Sequence, residues 1–183
     1  MGRLIILGGN ARSGKSTLAF KLVKNGFSRI SLDNLQQYLE DGLNFDFEKV
    51  PKEKRLNFFK VIVDKGLEEV QNEDTNIVID MFDYLPEDLE NFNGLNKSDI
   101  YFLIYPNCSK EEIKYNVVHY AKPTDWIAQV NEQYLEQCVD NFYTRNKVIL
   151  KQCEKYGYQY VDTKSGKDRD LVLENLLYRI ING

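Results

Sequence analysis

The residues Gly9-Asn10-Ala11-Arg12-Ser13-Gly14-Lys15-Ser16 fit the pattern G-x-x-x-x-G-K-[ST]. Such spacing serves the grip on a polyphosphate. Glycines let the main chain approach closely and adopt conformations other residues resist, so successive amides converge on phosphate oxygens. The amides of Gly9, Asn10, Ala11, Arg12, Ser13, Gly14, Lys15, Ser16 and Thr17 would form the cradle. Lys15 would reach the β- and γ-phosphates, and the Ser16 hydroxyl would ligate Mg²⁺. A carboxylate is the natural second anchor for that metal. Asp80 ends the apolar run Ile77-Val78-Ile79 and fits an aspartate that holds Mg²⁺ directly or through water. The alternative for Asp80 is an ordinary capping or loop aspartate. Asp83 is a weaker candidate on the same edge.

These groups need elements to place them. The apolar run at 3–7 stops at Gly8-Gly9 and reads as a strand buried on both faces. The stretch 15–24 is helical and Asn25-Gly26 stops it. Further strands are predicted at 29–32, 76–80, 100–105 and 158–161. Helices are predicted at 33–41 with Asp33 as N-cap, 51–70, 109–120 capped by Ser109, 128–155 and 170–181. Strands alternating with helices indicate an α/β fold with a five-stranded parallel sheet covered by helices on both faces. In such sheets ligands bind outside the carboxyl ends of the strands, where the loop and Asp80 would meet. One domain spanning 1–183 is expected, with helical excursions at 34–72 and 108–127.

The stretch Ser13-Gly14-Lys15-Ser16-Thr17 resembles the loop of the P-loop kinases, the superfamily of adenylate kinase, shikimate kinase, uridine kinase and zeta-toxin-like enzymes. The resemblance extends along the chain by element order and is specific only at the loop. It departs at Arg12, where many of these kinases carry glycine; Arg12 either adds a phosphate contact or points to solvent. The resemblance implies ATP and Mg²⁺ as cofactors and an adenylate-kinase-like fold, with acceptor binding in the first excursion and a lid-like second one. It also implies a contact of Asp33 with the acceptor hydroxyl, as general base or as an aid to the metal, and a loop after the last strand (162–167) near the base. Lids of nucleotide kinases usually supply arginines, yet 109–126 offers Lys110, Lys114 and Lys122 and no arginine. Arg145, on the long helix, is the candidate catalytic cation, against a solvated helix face. Arg55 is a further candidate for the acceptor. Tyr38, Phe45, Phe47, Phe58 and Phe59 would stack on a substrate ring or build a helical core.

With 183 residues, 43% of them apolar and 28% charged, the chain has a globular composition, which excludes disorder and a collagen-like fibre. Its net charge of −4 disfavours nucleic acid as a partner. Cys108, Cys138 and Cys153 form no CxxC pair, and His119 is the single histidine, so a zinc site and a disulfide scaffold are not expected. The thiols are expected reduced in a core. No apolar run approaches the ~18 residues of a membrane span, and no signal pattern precedes the loop, which points to the cytoplasm.

The expected activity is transfer of the γ-phosphoryl group of ATP to a small-molecule acceptor. Three alternatives stand beside it: a nucleotide-binding module without turnover, a nucleic-acid end kinase, and a GTPase. The last rests on Asn96-Lys97-Ser98-Asp99, which matches N-K-x-D but precedes its strand instead of following it.

Overall fold

The computed structural model describes residues 2–121, 125–163 and 167–183. Five parallel strands, β1 (Leu4–Gly9), β2 (Phe27–Ser31), β3 (Asn76–Asp80), β4 (Ile100–Ile104) and β5 (Gln159–Asp162), lie in the order β2-β3-β1-β4-β5. The helices are α1 (Lys15–Val23), α2 (Leu32–Leu43), α3 (Lys52–Asn72), α4 (Lys110–His119), α5 (Glu132–Tyr156) and α6 (Lys167–Asn182).

Alternation along the strands sends side chains to opposite faces, and both faces are filled. Ile5, Leu7, Val78, Tyr101 and Leu103 pack on Leu18 and Leu22 of α1 and on Leu173 and Leu176 of α6. Leu4, Ile6, Ile77, Ile79 and Phe102 pack on Phe59 and Val63 of α3 and on Ile149 and Cys153 of α5. This double burial explains why β1, β3 and β4 read as unbroken apolar runs. A third cluster joins Ile113 and Val117 of α4 to Leu135, Val139 and Phe142 of α5. Cys108, Cys138 and Cys153 are buried as thiols.

Several predicted boundaries move for identifiable reasons. The first strand runs on through Gly8 and Gly9, because both pair in register with β4. Asp33 is not the N-cap of α2. Ser31 is, its Oγ accepting from Asn34 N at 3.4 Å, so the helix starts at Leu32 and Asp33 lies in its first turn. The long helix starts at Glu132, four residues later than expected. A 3₁₀ turn takes up Trp126–Gln129, and Asn131 caps α5 by accepting from Tyr134 N at 2.9 Å. Ser109 caps α4 as predicted, in a reciprocal capping box with Glu112. Of the first-excursion aromatics, Phe59 is core and stacks on Tyr84 at 4.4 Å, whereas Tyr38 is exposed.

Candidate active site

The loop follows β1 without interruption and ends in α1. Gly9 has φ +128°, and a Cβ there would meet the Leu103 carbonyl oxygen at 2.0 Å. Only glycine fits. Gly14 takes φ +95° at the N-cap of α1, so the first amides of the helix point into the bend with the positive end of the helix dipole behind them. Arg12 stands between them in the left-handed region, at φ 59°.

Side chains clamp this bend from both sides. Asn10 is fully buried. Its Oδ1 accepts from Ala11 N at 2.9 Å and its Nδ2 donates to the Phe142 carbonyl at 2.6 Å, tying the loop to α5. The Tyr105 hydroxyl donates to the Ala11 carbonyl at 2.6 Å. The Lys15 ammonium and the Ser13 hydroxyl both donate to the Asn10 carbonyl, at 2.6 and 2.8 Å. Lys15 is 8% exposed, and burial lowers its pKa to about 8 against the opposing pull of Asp33 and Asp80. A polyanion brought to this ammonium would favour its charged form and raise the pKa again.

Asp80 closes β3 beside the loop and is 3% exposed. Its Oδ2 accepts from the Ser16 hydroxyl at 3.2 Å. Arg29 grips the same carboxylate with two bonds, Nε to Oδ1 at 3.0 Å and a terminal nitrogen to Oδ2 at 2.7 Å. The parallel register explains the pair: Ser31 lies opposite Asp80, so Arg29, two residues earlier on the same face, reaches it diagonally. Phe20 covers the guanidinium, its ring centroid 4.4 Å away. Ser16 Oγ and Asp80 Oδ2 are thus adjacent oxygens of the kind Mg²⁺ accepts when phosphates and water complete its shell. The described residues contain no cluster of three or more metal-ligating side chains.

A cleft of about 620 Å³ opens in front of these groups, with Arg12, Lys15, Ser16, Asp33, Phe82 and Arg145 among its lining. A similar groove of about 560 Å³ lies elsewhere, between α2 and α3, and holds none of them. Asp33 reaches the cleft from the first turn of α2. Displacement of water by the cleft walls raises its carboxyl pKa first, Asp80 and Asp83 push the same way, and Lys15 opposes. Arg145 turns inward from α5, not out to solvent. It donates to the Phe82 carbonyl, lies 4.5 Å from the Phe82 ring, and keeps its Nε buried without a partner. Burial lowers its pKa. Arg55 of α3 comes within 4.0 Å of Asp83.

The structure therefore brings together Lys15, Ser16, Asp33, Asp80 and Arg145 around one end of the sheet. It does not bring His119 there, which stacks on Tyr115 of its own helix. Asn96, Lys97, Ser98 and Asp99 sit at the amino end of β4, opposite the loop. There Asp99 pairs with Arg3 and Lys97 with Glu90, so the N-K-x-D match lies on the wrong edge to read a base. Lys122, Pro123, Thr124, Lys164, Ser165 and Gly166, in the two loops assigned above to lid and base, lie outside the described residues. Arg29, Asn10 as a side chain, and Tyr105 carry no sequence motif. The one signal for Arg29 was a charge inside a short apolar strand.

No protein-family model matches the sequence, and no curated protein matches it. Solved structures do. Shikimate kinase from Acinetobacter baumannii in complex with shikimate superposes with a TM-score of 0.55 at 16% identity, over 100% of this chain and 95% of that one. A crystal structure of APE1195 superposes at 0.53 and 17% identity, over 99% and 97%. The chain shares its fold with the shikimate kinase. Among the described residues no helix is long and apolar enough to cross a membrane.

Proposed function

On the premise of that fold, we propose that the chain is an ATP- and Mg²⁺-dependent phosphotransferase acting on a small-molecule acceptor. One observation carries the reading. The phosphate-holding groups Lys15 and Ser16 and the carboxylate of Asp33 line a single cleft, which is what a donor phosphoryl group and an acceptor hydroxyl require of their surroundings. The loop amides of residues 9–17 hold the triphosphate. Lys15 leaves the Asn10 carbonyl for the β- and γ-phosphate oxygens. Ser16 and Asp80 are the residues that would hold Mg²⁺, which when bound neutralises charge on the β- and γ-oxygens.

Asp33 takes the proton of the acceptor hydroxyl as that oxygen bonds to the γ-phosphorus and the bond to the β,γ-bridging oxygen breaks; ADP leaves. Its raised pKa suits a base better than an ordinary aspartate would. Arg145 adds positive charge on the acceptor side of the cleft. The whole chain acts as one unit, with 34–72 binding the acceptor and 108–127 covering the nucleotide.

One observation favours binding without turnover. Both oxygens of Asp80 are already held by Arg29, which leaves that carboxylate less free for a metal. A transfer screen with radiolabelled ATP separates the two readings. Its acceptors are nucleosides, nucleotides, sugars and hydroxy acids, shikimate among them because the similar kinase binds it. Label transferred by the wild type and not by Lys15→Ala supports the kinase. ATP binding with no transfer to any acceptor supports the module.

A further inference from the structure

We propose that Arg12 is shared between two anions, Asp125 and the triphosphate, with Asp125 competing for the guanidinium that grips the nucleotide. This rests on the reading of the cleft as an ATP site.

Arg12 occupies a backbone conformation that glycine adopts freely and other residues resist. Its side chain is thus carried into the loop against local preference. The guanidinium lines the same cleft as Lys15 and Ser16. Within that cleft it meets Asp125, 113 residues away along the chain, at 2.8 Å, each side chain 27% exposed.

The other described cations of the second excursion are turned elsewhere. Lys110 pairs with Asp140, and Lys114 with Glu132 and Glu136, fastening α4 to α5. Neither lines the cleft. Arg12, from the loop, is therefore the described cation that meets the second excursion inside the cleft. An ion pair as accessible as this one is weak. A phosphate group offers two oxygens and more charge to the same planar fork and outcompetes a single carboxylate.

Calorimetric titration with ATP·Mg²⁺ of four proteins tests the exchange: wild type, Arg12→Gly, Asp125→Asn and the double variant. Glycine suits φ 59°, so Arg12→Gly keeps its melting temperature. Its ATP affinity falls about ten-fold or more. Asp125→Asn frees the guanidinium and tightens ATP by about two- to five-fold. The double variant binds like Arg12→Gly alone, because the competition runs through the Arg12 guanidinium. Weakening by both single variants would make the pair a structural tether and overturn the exchange. So would wild-type affinity in Arg12→Gly. Wild type that takes up no ATP overturns the ATP site itself and the exchange with it.

Discussion

The loop at residues 9–17 and the segment from α2 into α3, which reaches the cleft through Asp33, are built in opposite ways. In the loop the bend is held by named bonds: the Asn10 carbonyl accepts from Lys15 and Ser13, and Asn10 and Tyr105 fasten the bend to its neighbours. By contrast, α2 buries only Leu32 among its twelve residues. Tyr38, Leu43 and Phe45 stand 66%, 71% and 43% exposed, and Gln36 and Arg55 hold Asp83 only at 3.2 and 4.0 Å. Phosphate oxygens present one geometry, so a preorganised cradle serves them. Acceptors differ in shape, and a thinly packed wall can be reshaped without loss of the core. On the proposed function, chemistry belongs to the buried bend with Asp33 beside it, and specificity to the exposed remainder of α2.

The sharpest way to break this division is Asp33→Asn. If Asp33 belongs to the acceptor side, kcat falls by about 10²–10⁴ while ATP affinity stays within about two-fold. Equal loss of both, measured by steady-state kinetics beside calorimetry, moves Asp33 to the metal and erases the boundary. Lys15→Ala works from the other side. Turnover falls by about 10²–10³ through lost nucleotide contact, and the melting temperature does not fall, since a buried ammonium is removed. A parallel loss of fold would make the ammonium structural.

Arg29→Met tests how tightly the inner half is committed. It leaves Asp80 buried without its cation, and chemical denaturation should register a loss of about 3–5 kcal/mol. A loss below about 1 kcal/mol would mean that Asp80 finds water instead. Lys15 also gives the inner half a pH signature. Its pKa is about 8 in the folded protein against 10.5 in the unfolded chain. Between those values the unfolded chain holds a proton that the native state lacks. Stability contributed by this group therefore rises with pH across that window, by at most ~1.4 kcal/mol per pH unit. The slope should vanish in Lys15→Met. The smallest effect belongs to the outer wall: Tyr38→Ser changes stability by no more than about 0.5 kcal/mol, yet shifts the acceptor KM without touching that of ATP.

How far the sequence discloses this follows from the distance over which each feature is encoded. The loop is local. Its glycines, lysine and serine lie within eight residues, and the apolar run before them and the helix after them supply the context. The layer order is equally plain, because strands buried on both faces cannot be mistaken for amphipathic ones. Element ends are harder: at α2 Ser31 and Asp33 both have capping side chains, and only the main-chain path chooses Ser31. Arg29 with Asp80, and Arg12 with Asp125, are pairs 51 and 113 residues apart. They are created by strand register and by the path of the second excursion, and neither leaves a trace in local spacing.

Uptake of ATP by the folded protein, followed by titration calorimetry with and without Mg²⁺, decides whether the loop at residues 9–17 is a nucleotide site. Saturable, Mg²⁺-strengthened binding to the wild type, abolished in Lys15→Ala at an unchanged melting temperature, is the predicted result. Binding absent from the wild type, or retained in full by Lys15→Ala, would contradict it.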